Sequence, residues 1–318
     1  MELFESIDAV PDDFGAVALT IGKFDGVHGG HRAVLERLQQ IAAERSLRSV
    51  VVTFDRNPMS LLKPESCPQP LVSTGQKLER LGSTGVDATL VLTFDRALSE
   101  VSAEDFVATV LAGALETRVI LVGADFRFGA QGAGDVELLR TLGEKHGFEV
   151  IVIDDIELEA GRRISSTFVR ELLADGQVAE AGRILTALHS VRGIVVLGQQ
   201  RGRELGYPTA NLERMPEGFI PADGVYAAWL VVDGTRFAAA VSIGNNPTFE
   251  GVAEKQVEAH ALDQDFDIYG KRVEIEFVDF IRGMVKFSSI DSLVEEMRRD
   301  EETVRTILGV PAKATLYK

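Results

Sequence analysis

The chain has 318 residues, 45% of them hydrophobic, with 49 acidic against 33 basic side chains and a formal charge of -16. Length and apolar content suffice for two ordinary domains with real cores and exclude a disordered chain. The acidic balance argues against nucleic acid or an anionic membrane as partner, because phosphate backbones need a basic footprint, but a small basic pocket can still hold one nucleotide with a metal ion. Cys67 is the single cysteine and cannot form an internal disulfide, which fits a reducing cytoplasm. Met1-Glu2-Leu3-Phe4-Glu5 lacks a basic region followed by an apolar stretch, so no signal peptide is expected. No apolar run nears the ~20 residues that a membrane helix needs. A homo-oligomer is compatible with all of this.

Through residue 185, apolar strands alternate with amphipathic helices. Strands are predicted over 16–22, 49–54, 88–93, 118–122 and 148–153, and helices over 33–45, 76–81, 103–111, 136–145 and 168–173. The alternation predicts an α/β unit whose parallel sheet is covered on both faces, with ligands at the carboxyl ends of the strands. From Val191 the texture changes. Short runs rich in valine and aromatics over 193–197, 225–232, 235–243, 256–262 and 272–280 predict an antiparallel β-barrel or sandwich. Ile290, Leu293, Val294, Met297, Val304 and Ile307 recur at helical spacing and predict a closing helix. The boundary falls near 186–189, giving domains of 1–187 and 188–318.

Two segments carry chemistry. The first, Thr20-Ile21-Gly22-Lys23-Phe24-Asp25-Gly26-Val27-His28-Gly29-Gly30-His31, joins the first predicted strand to the first predicted helix. A glycine-rich turn there lets backbone approach a ligand, and the helix N-terminus beyond it favours anions. His28 and His31, one helical turn apart, point the same way and could donate hydrogen bonds to one phosphate. The second segment runs from Gly198 through Arg201, Gly202 and Arg203 to Gly206-Tyr207-Pro208-Thr209-Ala210-Asn211. Pro208 favours extended backbone, so Thr209 and Asn211 share a face and present a hydroxyl and an amide oxygen side by side. These are hard oxygen ligands suited to Mg2+ when nucleotide phosphates complete its shell. A further motif, Arg163-Ile164-Ser165-Ser166-Thr167, precedes a helical pattern, where its hydroxyls are good caps and could also hold an anion.

The His28-x-x-His31 pair within Gly22-Lys23-Phe24-Asp25-Gly26 resembles the nucleotidyltransferase signature in its flavin-adenylating form. Gly206-Tyr207-Pro208-Thr209-Ala210-Asn211 resembles the riboflavin kinase signature. Both in this order resemble the prokaryotic bifunctional FAD synthetases, as do Val122-Gly123-Ala124-Asp125-Phe126-Arg127-Phe128-Gly129, Gly224-Val225-Tyr226-Ala227, Asn246-Pro247-Thr248-Phe249 and Tyr269-Gly270. The resemblance implies a Rossmann-like nucleotidyltransferase sheet followed by an antiparallel barrel with a closing helix. It implies riboflavin, FMN, FAD and ATP as substrates and products, with Mg2+. In the first domain it implies that His28 and His31 neutralise charge on the α-phosphate and that Gly22 and Phe24, beside Asp25, shape the adenylate floor. Arg163 would reach the outer phosphates, Ser165, Ser166 and Thr167 would line the phosphate end, and Asp125 would lie near adenosine or flavin. In the second it implies a phosphate loop over Gly198, Arg201, Gly202 and Gly206, metal ligands Thr209 and Asn211, a catalytic Glu258, and binding roles for Asn246 and Arg282. His260 shares the face of Glu258 and is read as a wall residue.

Two departures are visible. Many relatives read Phe-Asp-Pro-His-Pro where this chain has Phe54-Asp55-Arg56-Asn57-Pro58, and Met284 and Val285 replace acids often seen in the flavin-side loop. The Asn57 amide donates a hydrogen bond but carries no charge. The leading expectation is an enzyme performing both steps. The alternatives are a kinase beside a weakened adenylyltransferase, and a flavin-binding or sensing protein without catalysis, which need not keep His28, His31, Thr209, Asn211 and Glu258 together.

Overall fold

The computed structural model describes residues 1–153, 161–198, 206–245 and 255–311. They fall into two units, Met1–Ser166 and Thr167–Lys318. The first contains β1 (Glu2–Phe4), β2 (Val17–Ile21), α1 (Gly29–Glu44), β3 (Arg48–Phe54), α2 (Met59–Leu62), α3 (Thr74–Gly82), β4 (Ala88–Leu92), α4 (Arg96–Ser99), α5 (Ala103–Phe106), β5 (Thr117–Gly123), α6 (Val136–His146) and β6 (Glu149–Ile153). Its strands form one parallel sheet in the order β1-β4-β3-β2-β5-β6.

Side-chain alternation along each strand explains why the sequence reads as unbroken apolar runs. Val17, Leu19, Val50, Val52 and Ile120 enter the core on one face, while Ala18, Val51, Val119 and Leu121 enter a second core on the other. The five expected strands are present. The sixth, β1, is a three-residue edge strand and too short to show a periodicity. Helix α1 begins at Gly29, ahead of the expected start at Ala33, so His28 precedes it directly and His31 lies in its first turn. Helix α5 widens into π-helical turns over Val107–Ala114.

In the second unit, α7 (Ser166–Ala174) and α8 (Val178–Leu185) precede β7 (His189–Val196), β8 (Ala210–Leu212), β9 (Gly224–Val232), β10 (Thr235–Asn245), β11 (Lys255–Ala261) and β12 (Arg272–Arg282), and α9 (Ile290–Leu308) follows. The strands close an antiparallel barrel in the order β10-β11-β8-β7-β12-β9, which decides between the barrel and the sandwich. Its interior takes every second residue: Tyr226, Ala228 and Leu230; Val241 and Ile243; Val273, Ile275 and Phe277. Helix α9 seats Val304, Ile307 and Leu308 on Ala227, Ala238 and Ala240. Its N-terminal half behaves differently, because Ile290 is 64% exposed and Leu293 and Met297 are only half-buried.

Helix α8 is absent from the sequence reading, yet Val178, Ala181, Ile184 and Leu185 are all buried and the helix packs on β12 and β7. The expected boundary after residue 187 and the boundary between the two units therefore differ by α7 and α8. A fragment 167–318 should unfold cooperatively on heating, whereas a fragment 188–318 exposes the seat of α8 and should lose several kcal/mol, at roughly 1.5–3 kcal/mol per buried aliphatic side chain. Equal melting temperatures of the two fragments would contradict this.

Candidate active sites

The chain leaves β2 through a turn in which Phe24, Gly26 and Val27 all have positive φ, at 50°, 81° and 46°. For Val27, a β-branched residue, this is an unfavourable conformation that its surroundings must enforce. The turn makes His28 the N-cap of α1, with Nδ1 accepting a hydrogen bond of 3.3 Å from the His31 backbone N–H. That bond assigns the proton of the neutral ring to Nε2, which is therefore a donor. His31 stacks on His28 with ring centroids 3.7 Å apart, and Phe24 backs His31 at 4.9 Å. Gly30 leaves room for this stack, since a Cβ there would lie 3.2 Å from His28 Nδ1, and Gly22 leaves room for the Phe24 ring. Burial, and then the Arg163 guanidinium, push His28 down to about 4, and burial with His28 beside it holds His31 well below the ordinary imidazole value. His31 Nδ1 is buried without a hydrogen-bond partner among the described residues.

Ser166 Oγ donates to the Asp25 carbonyl at 2.9 Å, which brings the Arg163–Ser166 segment against the histidine turn. Asp25 Oδ1 accepts from the Leu71 N–H at 2.9 Å. Arg163 pairs with Asp125 at 3.4 Å just beyond the end of β5, and both side chains are exposed. Ser165 is half-buried, and Thr167 is exposed in the first turn of α7. Asn57 Oδ1 accepts from the Met59 N–H at 3.1 Å, so the amide that replaces the expected histidine caps the start of α2.

In the barrel unit, Asn211 Nδ2 donates to Thr209 Oγ1 at 3.2 Å, so the amide nitrogen, and not the oxygen expected from the sequence, faces the hydroxyl and Asn211 Oδ1 is turned away. Gly198 packs on this amide so closely that a Cβ would lie 2.5 Å from it. Gly206, at φ 85°, leads into this segment. Thr209, Asn211, Gly198, Asp265 and Asp267 line one pocket. A second and more apolar pocket has Thr209 in its wall too, with Glu258, Ser242, Met284, Leu293 and Met297. Glu258 lies across the ladder from Asn211 on β11, and burial pushes its carboxyl above the usual range. His260 has both ring nitrogens engaged, Nδ1 on the Pro208 carbonyl at 2.8 Å and Nε2 on Glu301 at 3.0 Å. It is a wall residue, and neither nitrogen is available as a base. Arg282 also lines this pocket, but its guanidinium is held by Asp300 at 2.7 and 2.9 Å. Arg201, Gly202 and Asn246 lie outside the described residues.

Two family models match the chain, FAD synthetase over residues 11–168 and riboflavin kinase over residues 185–308. The bifunctional riboflavin kinase/FMN adenylyltransferase of Escherichia coli K12 is 37% identical over 93% of this chain and 94% of its own length. That of Pseudomonas fluorescens is 36% identical over 95% and 96%. The chain belongs to the bifunctional riboflavin kinase/FMN adenylyltransferase family. A crystal structure described as a macrolide-efflux protein from Streptococcus pneumoniae superposes with a TM-score of 0.85 and 33% identity, over 95% of this chain and 98% of that one. Among the described residues of this family member, no helix is long and apolar enough to cross a membrane.

Sequence reasoning missed Ser242, Leu293 and Met297 at the apolar pocket. The last two belong to an apolar stripe that reads as core, and only the half-open seat of α9 makes them pocket wall. The depressed histidines have a consequence for stability. The folded protein keeps His28 neutral down to about pH 4, whereas the unfolded chain protonates it below the ordinary value of 6.5, so stability falls as pH drops between these values. A displacement of that size is worth about 3 kcal/mol. His28→Asn keeps a capping oxygen and removes the titration. Its N-terminal unfolding transition should be flatter with pH than the parent's across this window, and parallel profiles would refute the assignment.

Proposed function

We propose that the chain makes FMN from riboflavin in its barrel unit and FAD from FMN in its N-terminal unit, with the residues described above in the roles that follow. In the first reaction the 5'-hydroxyl oxygen of riboflavin bonds to the γ-phosphorus of ATP, the bond to the β–γ bridging oxygen breaks, and ADP leaves. In the second, an FMN phosphate oxygen bonds to the α-phosphorus of ATP and pyrophosphate leaves. The observation that carries the kinase assignment is Thr209, whose side chain stands in the wall of both barrel pockets. A flavin ring suits the apolar pocket and nucleotide phosphates suit the polar one, so the reacting groups meet at Thr209. Glu258 faces the apolar pocket with a carboxyl whose proton affinity burial has raised, which suits a base that takes the hydroxyl proton. Thr209 Oγ1 and, with its amide turned over, Asn211 Oδ1 are hard oxygen ligands, and Mg2+ held there would supply charge neutralisation on the phosphates.

In the N-terminal unit, the His28 Nε2–H at a helix N-terminus, the buried His31 and the nearby Arg163 form a donor set for the charge that grows on the α-phosphate. The donors reach this state without imidazolium charge, because burial disfavours the charged rings and, after it, Arg163 and the neighbouring imidazole repel them. The single cysteine supports a cytoplasmic location.

His31→Ala should lower FAD formation from supplied FMN by at least ~10²-fold, the usual scale for losing one transition-state donor, with riboflavin phosphorylation nearly unchanged. Normal FAD output from this variant would sink the adenylyl assignment. Glu258→Gln keeps size and a hydrogen-bonding group but loses the base, so FMN formation should fall by about 10² to 10⁴-fold while supplied FMN is still converted to FAD. Steady-state rates with separated flavins check both, and a loss under about fivefold would return Glu258 to a structural role.

A further inference from the structure

Helix α3 carries a buried cation to which these reactions assign no part. Lys77 is 7% exposed and makes no ion pair among the described residues. Its Nζ donates to the Phe54 carbonyl at 2.6 Å and to Thr53 Oγ1 at 3.3 Å, and Thr53 Oγ1 in turn donates to the Lys23 carbonyl at 3.3 Å. Three residues on, along the same helix face, Arg80 Nη1 donates to the Gly26 carbonyl at 3.0 Å. Three residues back, Thr74 Oγ1 donates to the Asp55 carbonyl at 2.6 Å. One face of α3 thus reaches across to the loops that leave β2 and β3, at the carboxyl edge of the sheet.

An ammonium in this position is costly, and an apolar side chain of the same length would fill the space without the desolvation penalty. Burial pulls Lys77 below the ordinary lysine value, while Asp25 and Asp55 pull the other way. What the two cations hold is the turn in which Phe24 and Val27 adopt positive φ. Left-handed conformations of such residues cost ~1–3 kcal/mol each and persist only where the surroundings enforce them. The carbonyls that Lys77, through Thr53, and Arg80 engage belong to Lys23 and Gly26, the residues immediately before those two.

We infer that Lys77 and Arg80 are positioning residues for AMP transfer, holding the carbonyls of Lys23 and Gly26 so that the strained turn delivers His28 and His31 to the α-phosphate. This rests on the role proposed above for the histidine pair. Neither cation touches a reacting atom. Their effect passes through the backbone, so it falls on the rate of the bound complex rather than on nucleotide affinity.

The test uses full-length Lys77→Met, Arg80→Met and Arg80→Lys. In both methionine variants, kcat for FAD formation from FMN should fall about 10- to 100-fold, the scale of a misplacement near 1 Å, with KM for ATP within about threefold. Riboflavin phosphorylation by the same molecules should be unchanged. Arg80→Lys, which restores a donor to the Gly26 carbonyl, should recover most of the lost rate. If Lys77→Met does not fold, the half-buried Arg80 decides the matter with its two variants. A kcat within about threefold of the parent in Arg80→Met, whatever its melting temperature, would overturn the inference. His31→Ala run in parallel separates the two failures: if it too left FAD formation intact, the histidine assignment would be at fault rather than the positioning.

Discussion

The turn between β2 and α1 is the constraint on which the N-terminal site depends. It must end a buried strand, reverse the chain, and start a helix with an imidazole as its cap. The path that does this forces Phe24 and Val27 into left-handed backbone. Such strain is tolerable only in a rigid frame, and the doubly covered sheet supplies one. The strand before the turn is buried on both faces, the segment ending at Ser166 closes one side, and α3 braces the other.

The same turn sets the electrostatics. A histidine used as an N-cap offers a ring nitrogen to a backbone N–H, which fixes the tautomer and leaves the other nitrogen as a donor. Stacking the second imidazole on the first, out of water and near Arg163, makes the neutral form of both the stable one. The resulting site is donor-rich at a helix N-terminus, with the exposed Arg163 guanidinium beside it. In the role proposed for this turn, its N–H groups are already oriented and would need no reorganisation.

In the barrel unit the organising constraint is the two-residue period of a closed antiparallel sheet. Val257 and Ala259 fill the interior, so Glu258 and His260 are directed to the opposite face, toward α9 and the apolar pocket. Asn211, across the ladder from Glu258, is turned by Thr209 and fitted against Gly198. Thr209, just before β8, borders both pockets, with Asn211 in the wall of one and Glu258 in the wall of the other. Helix α9 completes the pocket because only its C-terminal half is seated on the barrel.

The sequence by itself determined the α/β character of the first unit, the barrel-or-sandwich character of the second, and the two signature segments, because these rest on local periodicity and on residue chemistry within a few positions. It located His28, His31, Thr209, Asn211 and Glu258 by motif, and the structure brings the members of each group together. It could not show β1, β8 or α8, whose patterns are too short or too generic to rise above neighbouring apolar residues. It could not reveal that Asn57 caps α2, that Arg282 is held by Asp300, or that both nitrogens of His260 are engaged, since each depends on a partner chosen by folding. Lys77 and Arg80 read in sequence as ordinary charges on an amphipathic helix. Only the packing of α3 against the ends of β2 and β3 turned that face inward, where a buried cation finds backbone carbonyls instead of water.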